Sequence, residues 1–266
     1  MSQSLRFITY LAPKLYPLYG YLTGYVSRRL GVQSEFVMGK SYAQLQRGEA
    51  DVSFVCGLPY VLISSMNPDL LEPLAAPVIQ GERYQDKPIY FSDVIVGAAS
   101  SATSFKDLQG CSWAYNETES QSGYGITLYT LLKMGKTDGF FGEVIRSGYH
   151  QKSIQMVVEG EVEASAVDSH LLGVELREQK GLKKKLKIIE SLGPSTIQPV
   201  VASKNLDRSI REDIRAILLE IGDDPAARGM LDFGMVMRFA AVDESSYQDI
   251  RRMRAECEQA GFTVLR

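Results

Sequence analysis

One polar stretch, Ser120-Gln121-Ser122-Gly123-Tyr124, combines the residue types that hold small anions, and it follows a predicted strand and opens a predicted helix. The first backbone N–H groups of a helix have no acceptor within the helix, and the helix dipole is positive at that end. Two serine hydroxyls and these N–H groups can surround a tetrahedral oxyanion, and Gly123 lets the backbone approach it closely. The plainer interpretation is a serine that only caps the helix. The stretch is not a P-loop, because the Gly-Lys-Ser/Thr element is missing.

Two further candidates, His150 and Asp168, stand at or after the ends of predicted strands. In open α/β sheets, ligands bind at the carboxyl ends of strands. Asp168 could accept a hydrogen bond from a protonated ligand oxygen or a ligand amine, and His150 could donate one to an anion. The alternatives are a structural histidine and an aspartate that caps a helix.

Tyrosines are frequent, fourteen against ten phenylalanines, and several lie near predicted strand ends. A tyrosine supplies both an apolar wall and a hydroxyl donor, as a ligand cleft requires. Tyr42, Tyr60 and Tyr90 are therefore candidate ligand residues, although each could instead be a partly buried packing residue.

The elements that must position these residues alternate between strand and helix, a pattern that predicts a mostly parallel sheet covered by helices. The predicted strands are 5–11, 32–38, 51–56, 89–98, 112–115, 164–168 and 200–203. The predicted helices are about 18–30, 42–47, from the serine stretch to about 134, 153–159, 209–221 and 245–260.

Composition excludes several classes of function. The chain has 266 residues and a net charge of −3, so nothing suggests a basic surface built for nucleic acid. No run approaches about 18 consecutive apolar residues, so no transmembrane helix is expected. Cys56, Cys111 and Cys257 show no metal-ligand spacing, and neither a metal nor a cofactor is predicted.

Catalytic signatures are weak. The sequence contains no G-x-S-x-G elbow, no H-E-x-x-H motif and no G-x-G-x-x-G fingerprint. A Ser-His-Asp triad from Ser120 or Ser122 with His150 and Asp168 is formally possible, but nothing favours catalysis.

Several short motifs follow one another along nearly the whole chain. They are Gly48-Glu49-Ala50-Asp51-Val52-Ser53-Phe54-Val55 with Pro59-Tyr60, Tyr90-Phe91-Ser92-Asp93-Val94-Ile95-Val96, Phe105-Lys106-Asp107-Leu108-Gln109-Gly110, the serine stretch, Gly160-Glu161-Val162-Glu163-Ala164 with Val167-Asp168-Ser169, and 243–251 with Tyr247. In their order and spacing these motifs resemble the phosphonate/phosphate/phosphite solute-binding family, whose members feed ABC transporters and usually have Thr at the position of Gln121.

This resemblance implies an α/β, two-lobed type II periplasmic-binding-protein-like fold with a hinge and a central ligand cleft. The expected lobes are residues 1–92 plus 201–266 and residues 93–200. The family holds its anion with the serine loop, tyrosines and a histidine, which correspond here to Tyr42, Tyr90, Ser120, Gln121, Ser122 and His150. Tyr60, Gly123 and Asp168 complete the predicted ligand site.

The expected function is capture of a small anionic ligand for an ABC-transporter permease, without enzymatic activity. A ligand-sensing domain without a transport role is the first alternative, and an enzyme using the same cleft is the second. The N-terminus carries no leader-type pattern, so the expected location is periplasmic or extracytoplasmic if a leader has been removed, and cytoplasmic otherwise.

Family members that bind 2-aminoethylphosphonate place acids against the ligand amine, and the matching positions here hold His170 and Gln198. An ammonium taken out of water needs a paired carboxylate. The sequence therefore predicts a ligand that carries no strongly basic amine.

Overall fold

Within residues 4–265, which the computed structural model describes, the chain forms eleven strands and nine α-helices. The strands are β1 (Ser4–Thr9), β2 (Gln33–Met38), β3 (Val52–Phe54), β4 (Leu71–Ile79), β5 (Ile89–Gly97), β6 (Ser112–Tyr115), β7 (Glu143–Arg146), β8 (Ala164–Asp168), β9 (Leu186–Thr196), β10 (Val200–Ser203) and β11 (Val236–Ala241).

The helices connect these strands, and none within residues 4–265 is both long and apolar enough to cross a membrane. They are α1 (Tyr16–Leu30), α2 (Ala43–Gln46), α3 (Gly57–Met66), α4 (Ile126–Lys133), α5 (His150–Glu159), α6 (Ser169–Glu178), α7 (Arg208–Glu220), α8 (Arg228–Phe233) and α9 (Gln248–Gln259). A π-helical turn, Gln121–Gly125, leads directly into α4.

The described chain divides into two compact units, each with its own sheet. Unit 1 runs through Ile89 and resumes at Thr196–Gln248. Its six-stranded sheet has the order β11-β4-β10-β3-β1-β2. Strand β1 pairs in parallel with β2 and β3, whereas β10 is antiparallel to its neighbours β3 and β4.

Unit 2 comprises Tyr90–Ser195 and the chain from Asp249 onward. Its five-stranded sheet has the order β7-β6-β8-β5-β9. Strand β6 pairs in parallel with both β7 and β8, so the carboxyl ends of these three strands lie along one edge. Strand β5 is antiparallel to β8.

The sheet of unit 2 is covered on both faces. Successive residues of a strand point to opposite faces. Trp113 belongs to a cluster with Phe105, Phe140 and Phe141, whereas its neighbour Ala114 belongs to a second cluster. Because both faces of β6 are buried, the strand is held in place by packing, and so is the start of the loop that follows its carboxyl end.

The C-terminal helix corrects the predicted lobe boundaries, which assigned residues 201–266 to the first lobe. The chain from Asp249 belongs to unit 2, because Met253, Cys257 and Phe262 are part of the hydrophobic cluster around Trp113. Because α9 is largely polar, its sequence pattern does not indicate which unit it packs against. The other crossings also shift: unit 1 ends at Ile89 rather than at 92, and resumes at Thr196 rather than at 201.

Candidate anion-binding site

The carboxyl ends of the three parallel strands of unit 2 bring the candidate residues together. Asn116 and the serine turn follow β6, His150 follows β7, and Asp168 is the last residue of β8. Two backbone bonds tie the loop after β7 to the end of β6: Ser147 N–H donates to Tyr115 O at 2.8 Å, and the next residue's N–H donates to Asn116 O at 2.9 Å. This edge is where open α/β sheets bind ligands.

The serine turn begins a helix, as predicted. Ser120 is the N-cap, and its hydroxyl accepts the Gly123 N–H at 3.1 Å. The N–H groups of Tyr124 and Gly125 both reach Ser120 O, at 3.2 and 2.9 Å, so the first turn is wider than an α-helical one. Such π-turns recur at functional sites. The N–H groups of residues 121 and 122 precede the hydrogen-bonding pattern of the helix and are suited to meet an anion.

Ser122 is held against His150. The Ser122 hydroxyl and His150 Nε2 are 3.1 Å apart, and both side chains are buried. The Ser92 hydroxyl, from β5, donates to Ser122 O. The orientation of Ser122 is therefore set by contacts from two other elements. Its hydroxyl belongs to the first turn of the helix, where the backbone N–H groups have no acceptor within the helix.

Gly123 lies against Asn116 at the end of β6 and His150 at the start of α5. A Cβ at this position would stand 1.8 Å from Asn116 Oδ1 and 3.3 Å from His150 Cε1. No side chain fits there without displacing a neighbour. The glycine thus lets the Asn116 side chain lie directly against the serine turn.

Burial keeps His150 uncharged at neutral pH. It lowers the pKa of His150 from the ordinary 6.5 to about 4, and the Asp168 carboxylate acts in the opposite direction as the smaller influence. A neutral imidazole has one donor and one acceptor nitrogen. His150 therefore interacts with its surroundings through hydrogen bonds and not through a positive charge.

Asp168 caps α6. Its Oδ1 accepts the N–H groups of His170 at 2.8 Å and Leu171 at 3.2 Å. This is the helix-capping alternative that the sequence left open. A contact between Asp168 and a ligand remains a prediction.

Gln121 points its side chain into the protein. The side chain is buried, and Nε2 donates to Ser195 Oγ at 3.2 Å and to Met253 Sδ at 3.4 Å. These contacts anchor the turn to β9 and to α9. The part of Gln121 suited to an anion is its backbone N–H.

The tyrosine candidates are divided between the units. Tyr42 and Tyr60 belong to unit 1, where Tyr42 stacks on Tyr10 with ring centroids 4.7 Å apart and Tyr60 packs against Tyr247 at 4.9 Å. Tyr90 is the first residue of unit 2. Tyr60 and Tyr90 are buried, so packing accounts for both positions. Their assignment as ligand residues, and that of Tyr42, remains a prediction.

Two residues of this edge were missed by the sequence reasoning. Asn116 contacts Gly123, and Ser92 fixes the backbone of Ser122. Asn116 carried a readable signal, since it directly follows a predicted strand and precedes the serine turn. Ser92 carried none, because it is 30 residues from its partner. Among residues 4–265, no three His, Cys, Asp or Glu side chains are arranged to hold a metal ion.

Several solved structures share this fold. PhnD1 from Prochlorococcus marinus, in complex with methylphosphonate, is 16% identical, with a TM-score of 0.84 over 96% of this chain and 98% of that chain. A binding-protein component of an ABC phosphonate transporter from Pseudomonas aeruginosa is also 16% identical, with a TM-score of 0.84 over 98% and 88% of the two chains. A protein from Xanthomonas citri bound to ATP is 18% identical, with a TM-score of 0.73 over 99% and 100%.

These likenesses confirm the predicted fold class, the α/β fold of type II periplasmic binding proteins with two sheets. The family model described as "ABC transporter, phosphonate, periplasmic substrate-binding protein" matches residues 7–247. That match covers most of the chain, from within β1 through β11, and includes the serine turn. The protein therefore belongs to the family of periplasmic substrate-binding proteins of phosphonate ABC transporters.

Proposed function

We propose that this chain captures a small tetrahedral oxyanion of the phosphonate, phosphate or phosphite class at the serine turn of unit 2, and presents it to an ABC-transporter permease outside the cytoplasm. The observation that carries the proposal is the start of the helix at Ser120–Gly123, where the Ser122 hydroxyl is fixed by His150 at 3.1 Å. Family membership supports an ABC-transporter permease as the partner and an extracytoplasmic location.

The site suits a tetrahedral anion on electrostatic grounds. Helix starts attract anions through unpaired N–H groups and the helix dipole. A net charge of −3 gives the protein no general attraction for anions, so the affinity must come from this local geometry. The methylphosphonate complex of the P. marinus relative supports a phosphonate as the first ligand to test.

Two observations support a binding role over catalysis. A Ser-His-Asp triad requires an acid that accepts from the second ring nitrogen of the histidine. Among residues 4–265, His150 Nδ1 is buried without a hydrogen-bond partner, and the Asp168 carboxylate caps a helix. Ser122 and His150 thus form a pair without the third member that orients the base.

The direct test is a binding panel measured by thermal shift and calorimetry. The panel contains phosphate, phosphite, sulfate, methylphosphonate, 2-aminoethylphosphonate and ATP, the last because a structural relative binds it. A specific ligand raises the melting temperature by mass action. Binding of a phosphonate, phosphate or phosphite supports the proposal, whereas binding of ATP alone would indicate a nucleotide-binding protein and contradict it.

Ser122→Ala is expected to weaken binding of the preferred oxyanion by about 1–3 kcal/mol, the usual cost of losing a hydrogen bond to a charged group. Calorimetric titration of the variant measures the loss. Ser101→Ala, at an exposed serine of the same unit, is the matched control and should bind like the wild type. Equal affinities of the two variants would place the anion elsewhere.

Methylphosphonate and phosphate are expected to bind at least tenfold more tightly than 2-aminoethylphosphonate. Buried His170 and Gln198 stand at the positions that the family resemblance assigns to amine-holding acids, and neither carries a carboxylate. Binding of an ammonium group without a carboxylate partner is opposed by the loss of its hydration, which costs on the order of several kcal/mol. Competition calorimetry decides, and a tenfold preference for the aminophosphonate would show that an acid such as Asp168 pairs with the amine.

A further inference from the structure

Asn116 lies at the candidate site but has no role in the function described so far. It directly follows β6, and its backbone oxygen accepts the N–H of Gly148 from the loop after β7. The residue is half-buried at the carboxyl edge of the sheet. Its main chain is therefore fixed at the same edge as Ser122 and His150.

The side chain of Asn116 lies against the serine turn. A Cβ added to Gly123 would stand 1.8 Å from Oδ1, so this oxygen already faces the Cα–H of Gly123. A carbonyl-type oxygen in that position makes a Cα–H···O contact, which favours oxygen over the amide nitrogen there. Among residues 4–265, Oδ1 is buried and has no hydrogen-bond partner.

This placement leaves the donor half of the amide facing away from Gly123. The amide oxygen and nitrogen diverge from one carbon, so Nδ2 points in a different direction from the inward Oδ1. Nδ2 carries two donors and no charge. Asn116 as a whole is half-buried, so part of the residue is exposed at the edge where the serine turn begins.

We propose that Asn116 is a further ligand-binding residue, whose Nδ2 donates a hydrogen bond to an oxygen of the anion bound at the serine turn. Its lack of charge matters as much as its donor. An aspartate here would place a carboxylate beside the anion, and like charges in a partly buried site repel strongly. The inference rests on the proposed function, because it assumes that the turn binds an oxyanion.

The test compares Asn116→Ala and Asn116→Asp with the wild type in calorimetric titrations at low salt and pH 7.5. We expect the methylphosphonate affinity to fall about threefold to tenfold in Asn116→Ala and more than tenfold in Asn116→Asp. We also expect the affinity ratio of 2-aminoethylphosphonate to methylphosphonate to rise at least tenfold in Asn116→Asp, because the new carboxylate can pair with the amine. A purely structural role would not change this ratio.

Thr118→Asp, which adds the same charge at an exposed position two residues away, is the matched control and should leave the ratio unchanged. Thermal unfolding without ligand shows whether each variant is folded. If Asn116→Asp is unfolded, the affinity of Asn116→Ala alone decides whether Asn116 binds the anion. Affinities within twofold of the wild type, together with a clear loss in Ser122→Ala, would overturn the role of Asn116 and leave the proposed function intact. A wild-type protein that binds none of the oxyanions would overturn both.

Discussion

Replacing Gly123 by alanine is expected to weaken methylphosphonate binding about 100-fold, a loss of roughly 3 kcal/mol. The added Cβ would stand 1.8 Å from Asn116 Oδ1 and 2.9 Å from Asn116 Cγ. Even a close Cα–H···O contact needs about 3.3–3.6 Å between carbon and oxygen. Either the Asn116 side chain or the serine turn must therefore move.

Movement of the turn affects every group that we assign to the anion. It would separate the Gly123 N–H from Ser120 Oγ, now 3.1 Å away, and disturb the pair of Ser122 and His150. Overpacking of this kind usually costs about 1–3 kcal/mol of folding free energy. We therefore expect the variant to fold, with the larger effect on binding.

Two variants sharpen the Gly123 test. Gly181→Ala is the matched control, because Gly181 lies in the same unit with φ of −78° and no atom within 4 Å of a Cβ. The double variant Gly123→Ala/Asn116→Ala removes the colliding atom and should recover most of the lost folding free energy. Calorimetry and urea unfolding supply the two readouts, and a Gly123→Ala variant that binds within twofold of the wild type contradicts the site geometry.

Acid is expected to destabilise the ligand-free protein through His150 by on the order of 3 kcal/mol. Burial lowers the folded-state pKa of His150 to about 4, against 6.5 for the unfolded chain. Between these values the unfolded chain binds a proton that the folded protein does not. The contribution is therefore complete above pH 6.5 and disappears as the pH falls towards 4.

The comparison with His150→Gln isolates this effect from the other acid-sensitive groups. Urea unfolding of both proteins at several pH values from 7 to 4.5 gives the difference in stability at each pH. We expect the stability difference between the wild type and His150→Gln to shrink as the pH falls, because only the wild type has a buried histidine that is protonated more readily in the unfolded chain. Parallel stability curves would mean that His150 accepts a proton without leaving its buried position.

The short strands show how much of the fold the sequence predicts. Strands β6, β8 and β10 have the bounds predicted for them, 112–115, 164–168 and 200–203. Each is short, rich in apolar residues and buried at its centre, so local pattern and tertiary environment agree. The predicted order of strands and helices, read with the family resemblance, was sufficient for the fold class.

Strand β4 shows what the sequence pattern could not predict. Pro73 and Pro77 argue locally against an interior strand, yet β4 lies between β10 and β11. Residues 74–76 are fully buried there, and the ladders on both sides are irregular near the prolines. The strands that pair with β4, which are β10 and β11, lie more than 120 residues away in the sequence. A local sequence pattern therefore does not indicate that β4 is an interior strand.

The candidate site likewise has parts that the sequence predicts and parts that it does not. The serine turn was accessible to sequence reasoning, because it follows a predicted strand and opens a predicted helix, and the family resemblance added His150 to the predicted site. The side chain of Gln121 was not, since its partners Ser195 and Met253 are 74 and 132 residues away. Sequence reasoning thus located the turn but could not tell which side chains of the turn face inward.

A crystal structure of the protein with saturating methylphosphonate would show whether the serine turn binds the anion. We expect a phosphonate oxygen about 2.5–3.2 Å from Ser122 Oγ, and a second oxygen at hydrogen-bond distance from the N–H groups of residues 121 and 122. A phosphonate bound elsewhere in the protein, with the serine turn free of ligand, would contradict it.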